Sequence, residues 1–285
     1  MERLKIAVQK SGRLSEKSLG LISEAGIKLN NGDRKLISPS SNFPIEILFL
    51  RDDDIPQYVA DGVADIGIVG ENVIEEKKFQ IPVVEKLGFA KCRLSLAIPK
   101  SIDYKGVGYF NGKKIATSYP NILRKFLDKN NIKAEIHEIS GSVEIAPGIG
   151  LADSIFDIVS SGSTLISNGL AEVETVMYSE AVIASTQNLS PAKQQILDKL
   201  IFRLRSVQKA EKNKYIVLNA PYDKVDQIKE IIPGMKSPTV VPLVKEGWCS
   251  VHSVLQESDF WEVIDKLQEC GAQGILVIPI EKMIV

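Results

Sequence analysis

Histidine is nearly absent from this chain. Its 285 residues include two, His137 and His252, far apart and outside any metal-ligand spacing, which argues against a zinc centre or a Ser-His-Asp triad. Cysteine is scarce as well. Cys92, Cys249 and Cys270 are odd in number and form no C-x-x-C pair, the usage of a reduced cytosol rather than of a disulfide framework. Neither sign of charge is in excess: 35 Lys and Arg stand against 36 Asp and Glu, a formal net charge of −1. No basic footprint for nucleic acid or an anionic membrane follows from that balance. No apolar run approaches the length that spans a bilayer, and Met1–Gly12 lacks the apolar core of a signal peptide, so a cytoplasmic location is expected. What is present is ordinary globular composition, 44% hydrophobic and 25% charged, in a chain long enough for two or three domains.

The most informative stretch is Ala152–Leu170, ADSIFDIVSSGSTLISNGL. Ile155, Phe156, Ile158 and Val159 form a short apolar run that reads as a buried parallel strand led in by Asp153. It breaks at Ser160-Ser161-Gly162-Ser163-Thr164, with Leu165 and Ile166 following as a first helical turn or a tight loop. A strand running into a small, hydroxyl-rich turn presents several backbone N–H groups to one point, an arrangement suited to phosphate. The plain alternative is a strand–turn–helix with a serine N-cap. Asp157 lies inside the strand, where a carboxylate needs a partner such as a ribose hydroxyl, a magnesium-bound water or a basic side chain.

A second copy of this pattern favours the phosphate reading. Residues 60–70 read ADGVADIGIVG and 152–162 read ADSIFDIVSSG, which pairs Asp61 with Asp153, Asp65 with Asp157 and Gly70 with Gly162. A repeat of this length predicts two similar α/β lobes, each offering a strand-end turn to a shared cleft.

Elsewhere in the first lobe, the strand Leu4–Val8 and the helix Ser15–Ala25 enclose Gln9-Lys10-Ser11-Gly12-Arg13. Two cations at the carboxyl end of a strand suit a polyphosphate, or simply a solvated loop. Arg51 ends the strand Ile45–Leu50, ahead of Asp52-Asp53-Asp54, which reads as capping before Pro56. The strand Ile66–Val69 ends in a turn, Gly70-Glu71-Asn72. In the second lobe, Ser142 and Glu144 follow the strand Ala134–Ile139 as a helix start, with Glu144 facing the cleft as the alternative. Val173–Tyr178 and Ala181–Ser185 are expected to return the chain to the first lobe. From Lys214 the order of elements becomes βαββαβ, a ferredoxin-like unit without cationic strand-end loops, more suited to regulation or assembly than to chemistry.

With these residues placed, the chain resembles the long form of ATP phosphoribosyltransferases. The resemblance covers essentially all of it, including IAVQKSGRLS, RDDDIP, DGVADIGIVGENV, CRLSLA, KIATSYP, GSVE and GLADSIFDIVSSGSTL. It implies two periplasmic-binding-protein-like (type II) lobes around a cleft, plus an ACT-like C-terminal domain. The implied domains are 1–93 with 181–210 as lobe I, 94–180 as lobe II, and 211–285 as the regulatory domain. It further implies transfer of a phosphoribosyl group from phosphoribosyl pyrophosphate to N1 of ATP, opening histidine biosynthesis. Mg²⁺ would ride mainly on the pyrophosphate, with no protein metal ligands assigned. Histidine would be the feedback inhibitor, AMP and ADP candidate competitors, and dimers and hexamers the assemblies.

Carried onto this sequence, the resemblance makes Lys10, Arg51 and Asp157 the catalytic candidates. Lys10, Ser11, Gly12, Arg13, Arg51, Gly70, Glu71, Glu144, Asp157 and the Ser160, Ser161, Gly162, Ser163, Thr164 and Leu165 turn are the substrate-binding ones. Asp223, Thr239, Ser250 and Ser253 are the candidates for regulatory histidine. A solute-binding or effector-sensing protein with the same two-lobed cleft is the competing class. The missing signal peptide and the three cations near the turn weigh against it. Retention of Lys10, Arg13, Arg51, Asp157 and the Gly162 turn weighs against a regulatory paralogue without catalysis.

Overall fold

The computed structural model describes residues 2–30 and 36–284. It divides into two compact units, Met1–Gly20 with Lys28–Leu197, and Leu21–Ile27 with Asp198–Val285. Along the chain come β1 (Leu4–Gln9), α1 (Arg13–Glu24), β2 (Ile37–Pro39), β3 (Ile45–Leu50), α2 (Ile55–Ala60), β4 (Ile66–Gly70), α3 (Glu71–Lys77) and β5 (Val83–Lys86). Then follow β6 (Cys92–Pro99), β7 (Lys114–Thr117), α4 (Pro120–Lys129), β8 (Glu135–Glu138), β9 (Ser154–Val159), α5 (Ser163–Ser167), β10 (Leu170–Ser179) and β11 (Ala181–Ser185).

The first unit holds two sheets, ordered β2-β3-β1-β4-β11-β5 and β10-β6-β9-β7-β8. Each has a parallel trio in the order second, first, third: β3-β1-β4 in one, β8-β7-β9 in the other. Beside each third strand lies an antiparallel crossing strand, β11 next to β4 and β6 next to β9. That shared order is the type II two-lobed arrangement that the resemblance implies. Two local expectations need correction. Gly70-Glu71-Asn72 is not a free turn, because α3 begins at Glu71 with Gly70 as its N-cap residue. Only β11 returns to the first lobe, since β10 pairs along its length with β6.

The internal repeat is real, but its register lies four residues from the sequence match. The Asp65 N–H donates to the Lys5 carbonyl (3.0 Å), and the Lys5 N–H donates to the Asp65 carboxylate (2.8 Å). Asp153 makes the same pair of bonds with Lys114, at 2.9 and 2.8 Å. The equivalent of Asp65 is therefore Asp153, and the matched segments are Lys5-Ile6-Ala7 with Lys114-Ile115-Ala116, Glu46-Ile47 with Glu135-Ile136, and Ala64-Asp65 with Ala152-Asp153. The sequence match slipped because an A-D dipeptide occurs at both 60–61 and 64–65. Asp61 sits at the C-terminal cap of α2 instead, bonded to the Gln57 side chain.

Packing fixes these sheets. In the first lobe Ala7, Ile55, Val59, Val69, Val73 and Val182 form one buried cluster. Helix α2 lies so close to β4 that a Cβ on Gly67 would stand 2.5 Å from the Ile55 methyl, so only glycine fits there. In the second lobe α4 buries Ile122, Leu123 and Leu127, each such side chain contributing roughly 1.5–3 kcal/mol.

Across the second unit run α6 (Pro191–Glu211, which begins in the first), β12 (Asn213–Pro221), α7 (Val225–Ile231), β13 (Thr239–Pro242), β14 (Trp248–Gln256), α8 (Phe260–Glu269) and β15 (Gln273–Pro279). The sheet order β13-β14-β12-β15 is the ferredoxin-like arrangement expected of a βαββαβ unit. Ile216, Leu218, Cys249, Val251 and Leu255 pack against Val225, Ile228 and Leu267 of the two helices.

Candidate active site at the strand ends

In parallel α/β sheets ligands gather beyond the carboxyl ends of the strands. In the first lobe those ends carry most of the predicted residues. Gln9 pairs with Leu50, and the Lys10 N–H donates to the Leu50 carbonyl (2.8 Å), which sets Lys10 beside Arg51 on adjacent strands. Ser11, Gly12 (φ +100°) and Arg13 complete the loop into α1. Lys10, Arg13 and Arg51 are exposed and have no carboxylate partner among the described residues, so their charge is available to a ligand. Gly70 ends β4 on the other side of β1. Glu71 points to the sheet edge, where its carboxylate meets Lys86 of β5 at 3.1 Å.

In the second lobe β9 ends in the hydroxyl-rich turn. Gly162 takes φ +80°, a left-handed conformation that costs glycine little, and the Ser161 and Ser163 hydroxyls lie 3.0 Å apart. Helix α5 has five residues, too few to build an appreciable dipole, so anion binding here would rest on the backbone N–H groups and hydroxyls. Leu165 differs from its neighbours, because its side chain is buried in the lobe's core and only its backbone faces the turn.

Asp157 is opposite Ser95 in the β6–β9 pair. Its carboxylate accepts the Ile158 N–H at 2.8 Å. Burial raises its pKa to about 6, with the negative charge of Glu144 adding to the rise. Glu144 stands in a short 3-10 turn entered through Gly141 and Ser142, both left-handed (φ +81° and +51°), and the buried Val143 anchors that turn. Left-handed backbone at a serine is strain of the kind that clusters at functional sites.

Two residues bring the lobes together at this place, and sequence reasoning missed both as site residues. Tyr119, between β7 and α4, has its phenol held well above the usual value by burial, then by the charges of Asp157 and Asp52. Asp52 follows Arg51 in a 3-10 turn, and burial with the nearby Asp53 raises it to about 6. Its Oδ1 is buried without a hydrogen-bond partner. Read as capping, Asp52 is instead an unsatisfied acceptor near the other lobe's Tyr119. The signal was present in R-D-D-D-I-P, but three consecutive aspartates hid which one turns inward.

A cleft of about 540 Å³ opens between the lobes on the Tyr119 side, lined by Asp53, Glu76 and Lys77 from one and by Tyr119, Arg124 and Glu138 from the other. None of the residues singled out from sequence lines it. Among the described residues no group of three or more His, Cys, Asp or Glu has the geometry to hold a metal ion, and no helix is long and apolar enough to cross a membrane.

The four regulatory candidates do not share one surface. Ser250 lies beside His252, its hydroxyl 3.1 Å from Nε2, and Tyr215 meets Nδ1 at 2.9 Å. Thr239 is the cross-strand partner of His252 and joins that face. Ser253 points to the opposite, helix-covered side, where its hydroxyl donates to the Ile232 carbonyl at 3.0 Å. Asp223 is exposed in the 3-10 turn after β12. Alternation along β14 separates Ser250 from Ser253, which the sequence reading had grouped.

Comparison with known proteins agrees with this geometry. The family model for ATP phosphoribosyltransferase matches residues 51–206, and the model for the HisG C-terminal domain matches 210–282. The curated ATP phosphoribosyltransferases of Bacteroides thetaiotaomicron and Cytophaga hutchinsonii are both 61% identical to the chain, over 282 and 281 residues. These alignments cover 99% of this chain and 100% and 98% of the relatives. Among solved structures, the ATP phosphoribosyl transferase (HisG:HisZ) complex from Thermotoga maritima superposes with a TM-score of 0.62 at 28% identity, over 71% of this chain and 96% of that one. With two family models in tandem and full-length relatives at this identity, the chain belongs to the ATP phosphoribosyltransferase family, pentosyltransferases of histidine biosynthesis.

Proposed function

We propose that the two sets of strand ends divide one reaction between them: the adenine N1 of ATP attacks C1 of phosphoribosyl pyrophosphate, and pyrophosphate leaves. The nitrogen lone pair forms the new C–N bond as the C–O bond to pyrophosphate breaks, and that bonding pair departs with the leaving group. The observation that carries this reading is Asp157, a desolvated carboxylate at the mouth of a glycine-opened turn. It accepts ribose hydroxyls while the backbone N–H groups of Ser161–Thr164 and the Thr164 hydroxyl take the 5-phosphate. Glu144 stands beside it as a second acceptor. Lys10, Arg13 and Arg51 neutralise the departing pyrophosphate, the step at which most charge must be stabilised. Adenine N1 is already a nucleophile, so no histidine base is required, and the protein mainly positions the reactants.

ATP occupies the interlobe cleft, whose volume suits a nucleotide. The Tyr119 phenol, kept protonated by its surroundings, acts there as a hydrogen-bond donor only. Mg²⁺, when bound, offsets pyrophosphate charge and orients its oxygens. The absence of a protein ligand cluster among the described residues fits an ion held by substrate oxygens. Asp52, with its unpartnered Oδ1, is suited to accept from a metal-bound water.

We further propose the domain limits 1–93 with 181–210, 94–180 and 211–285, a cytoplasmic location, dimeric and hexameric assembly, and inhibition by histidine at the Thr239–Ser250 face. The test is an absorbance assay for phosphoribosyl-ATP with ATP, phosphoribosyl pyrophosphate and Mg²⁺, pyrophosphatase present, with and without histidine. Product that histidine suppresses supports both parts. Product indifferent to histidine removes the regulatory part, and no product returns the protein to the solute-binding class.

A further inference from the structure

The cation nearest the phosphate turn in the structure is Arg93 of β6, and it was not singled out from sequence. Its guanidinium forms a two-pronged pair with Glu172 of β10 through Nε and Nη2, while Nη1 donates to the Ser160 carbonyl at 3.1 Å. Glu172 is itself held, accepting from Ser95 at 2.7 Å and from Thr175 at 3.3 Å. Two irregularities in the β10–β6 register, at Glu172/Glu174 and Thr175/Met177, bracket this carboxylate, as bulges do where a strand re-aims a side chain. Ser95 is also the cross-strand partner of Asp157. The network therefore lies on the same sheet face as the ribose-binding candidate and ends on the first residue of the turn.

Peptide planarity gives that last bond a directional consequence. In a trans peptide the C=O and the following N–H point in opposite directions. A Ser160 carbonyl turned toward Arg93 therefore turns the Ser161 N–H away from it. With its charge balanced by Glu172, Arg93 has one N–H edge committed to a carbonyl and acts as a brace. We propose that Arg93 is a positioning residue: through Ser160 it orients the Ser161 N–H for the 5-phosphate, and Glu172 holds Arg93 in place. The inference rests on the reading of Ser161–Thr164 as the phosphate cradle.

The test compares Arg93→Ala, Arg93→Lys, Glu172→Gln and Gly162→Val in the full-length enzyme, with KM measured for each substrate. Loss of a hydrogen bond from a charged donor corresponds to a roughly 10–100-fold weaker contact. Arg93→Ala should raise the KM for phosphoribosyl pyrophosphate by about that factor, with the KM for ATP within about twofold. Arg93→Lys, which keeps one donor, and Glu172→Gln should fall between wild type and Arg93→Ala. Hydrogen exchange should quicken in a peptide covering 158–165 without a matching change over 181–185, a difference that general destabilisation would not produce. Equal rises in both KM values, or a wild-type KM in Arg93→Ala, would overturn the inference. Gly162→Val forces a branched residue into the left-handed position. If that leaves the KM for phosphoribosyl pyrophosphate unchanged, the cradle reading itself falls. If Gly162→Val raises it and Arg93→Ala does not, only the positioning role falls. Should Arg93→Ala fail to fold, Arg93→Lys and Glu172→Gln carry the same comparison.

Discussion

The two lobes of the first unit share a scaffold and differ at one end of it. At the amino ends of the strands they match residue for residue, Lys5-Ile6-Ala7 with Lys114-Ile115-Ala116 and Ala64-Asp65 with Ala152-Asp153, down to the paired aspartate–backbone bonds. Toward the carboxyl ends they diverge. In that register Val69 of the first lobe corresponds to Asp157 of the second. Its cross-strand partner Val182 corresponds to Ser95. Val69 and Val182 belong to a sealed apolar core, whereas Asp157 and Ser95 make the same position polar. Beyond it, the first lobe continues directly into α3, and the second inserts a turn. One end of the fold is thus kept for stability and the other is free to hold chemistry, the division known from other α/β architectures.

The largest test of that contrast substitutes the corresponding positions. Asp157→Asn should cut turnover by about 10²–10³-fold, the scale of losing one aligned polar contact at a reacting centre. Because burial raises Asp157 above its unfolded value, the group favours folding below its unfolded pKa, and that contribution is lost as pH rises through about 6. Asp157→Asn should therefore melt no lower than wild type at pH 8. Val69→Ala should do the reverse, costing about 2 kcal/mol by cavity formation with both KM values near wild type. If Asp157→Asn were near-normal in rate, the polar exchange would be incidental to catalysis.

A second test asks whether the lobes are independent. Glu76 of α3 is 7% exposed. Its carboxylate accepts the Asn121 N–H (2.9 Å) and the Ile122 N–H (3.0 Å) at the start of α4. Helix α4 has no side-chain cap of its own, so one lobe supplies the cap for the other. Glu76→Ala should lower stability by about 3 kcal/mol, since it strands two donors of a helix terminus. Glu76→Gln should cost about half as much. Calorimetric melting of both variants checks it, and a Glu76→Ala protein as stable as wild type would make the lobes energetically separate.

Much of this was legible in the sequence because local signals agreed with the tertiary result. Apolar runs of strand length, Pro56 and Pro120 at helix starts and the S-S-G-S-T break each marked an element that formed. Legibility failed where one short pattern served two places. Two A-D dipeptides gave a repeat four residues out of register, and three aspartates in a row concealed that Asp52 turns inward. It also failed where the information was long-range. Nothing near Arg93 in the chain announces Glu172 or the Ser160 carbonyl, and nothing near Asn121 announces Glu76, because those contacts join strands and helices that only the topology brings together. Ser253 failed for a simpler reason: three residues along a strand from Ser250, it faces the other side of the sheet.

The smallest and sharpest comparison is between the twin aspartates at the amino ends. Asp65 and Asp153 make the same backbone bonds, but their surroundings differ. The Asp65 side chain is 8% exposed and meets Lys193 at 2.8 Å; that of Asp153 is 38% exposed and meets Lys113 at 3.2 Å. A hydrogen-bonded carboxylate contributes more where water cannot replace the protein donors, so Asp65→Ala should cost about 2–3 kcal/mol and Asp153→Ala about 1 kcal/mol. The two should also differ in pH response. The Lys114 N–H, with Lys113 beside it, holds Asp153 below its ordinary value. Its contribution is present above the unfolded carboxylate pKa and is lost as pH falls through the lower folded one. The stability gap between wild type and Asp153→Ala should therefore be constant from pH 6 to 8 and close below about pH 4. A gap that persists at pH 3 would mean that the Asp153 side chain stabilises the lobe by packing, and the likeness between the two lobes would then be one of shape rather than of charge.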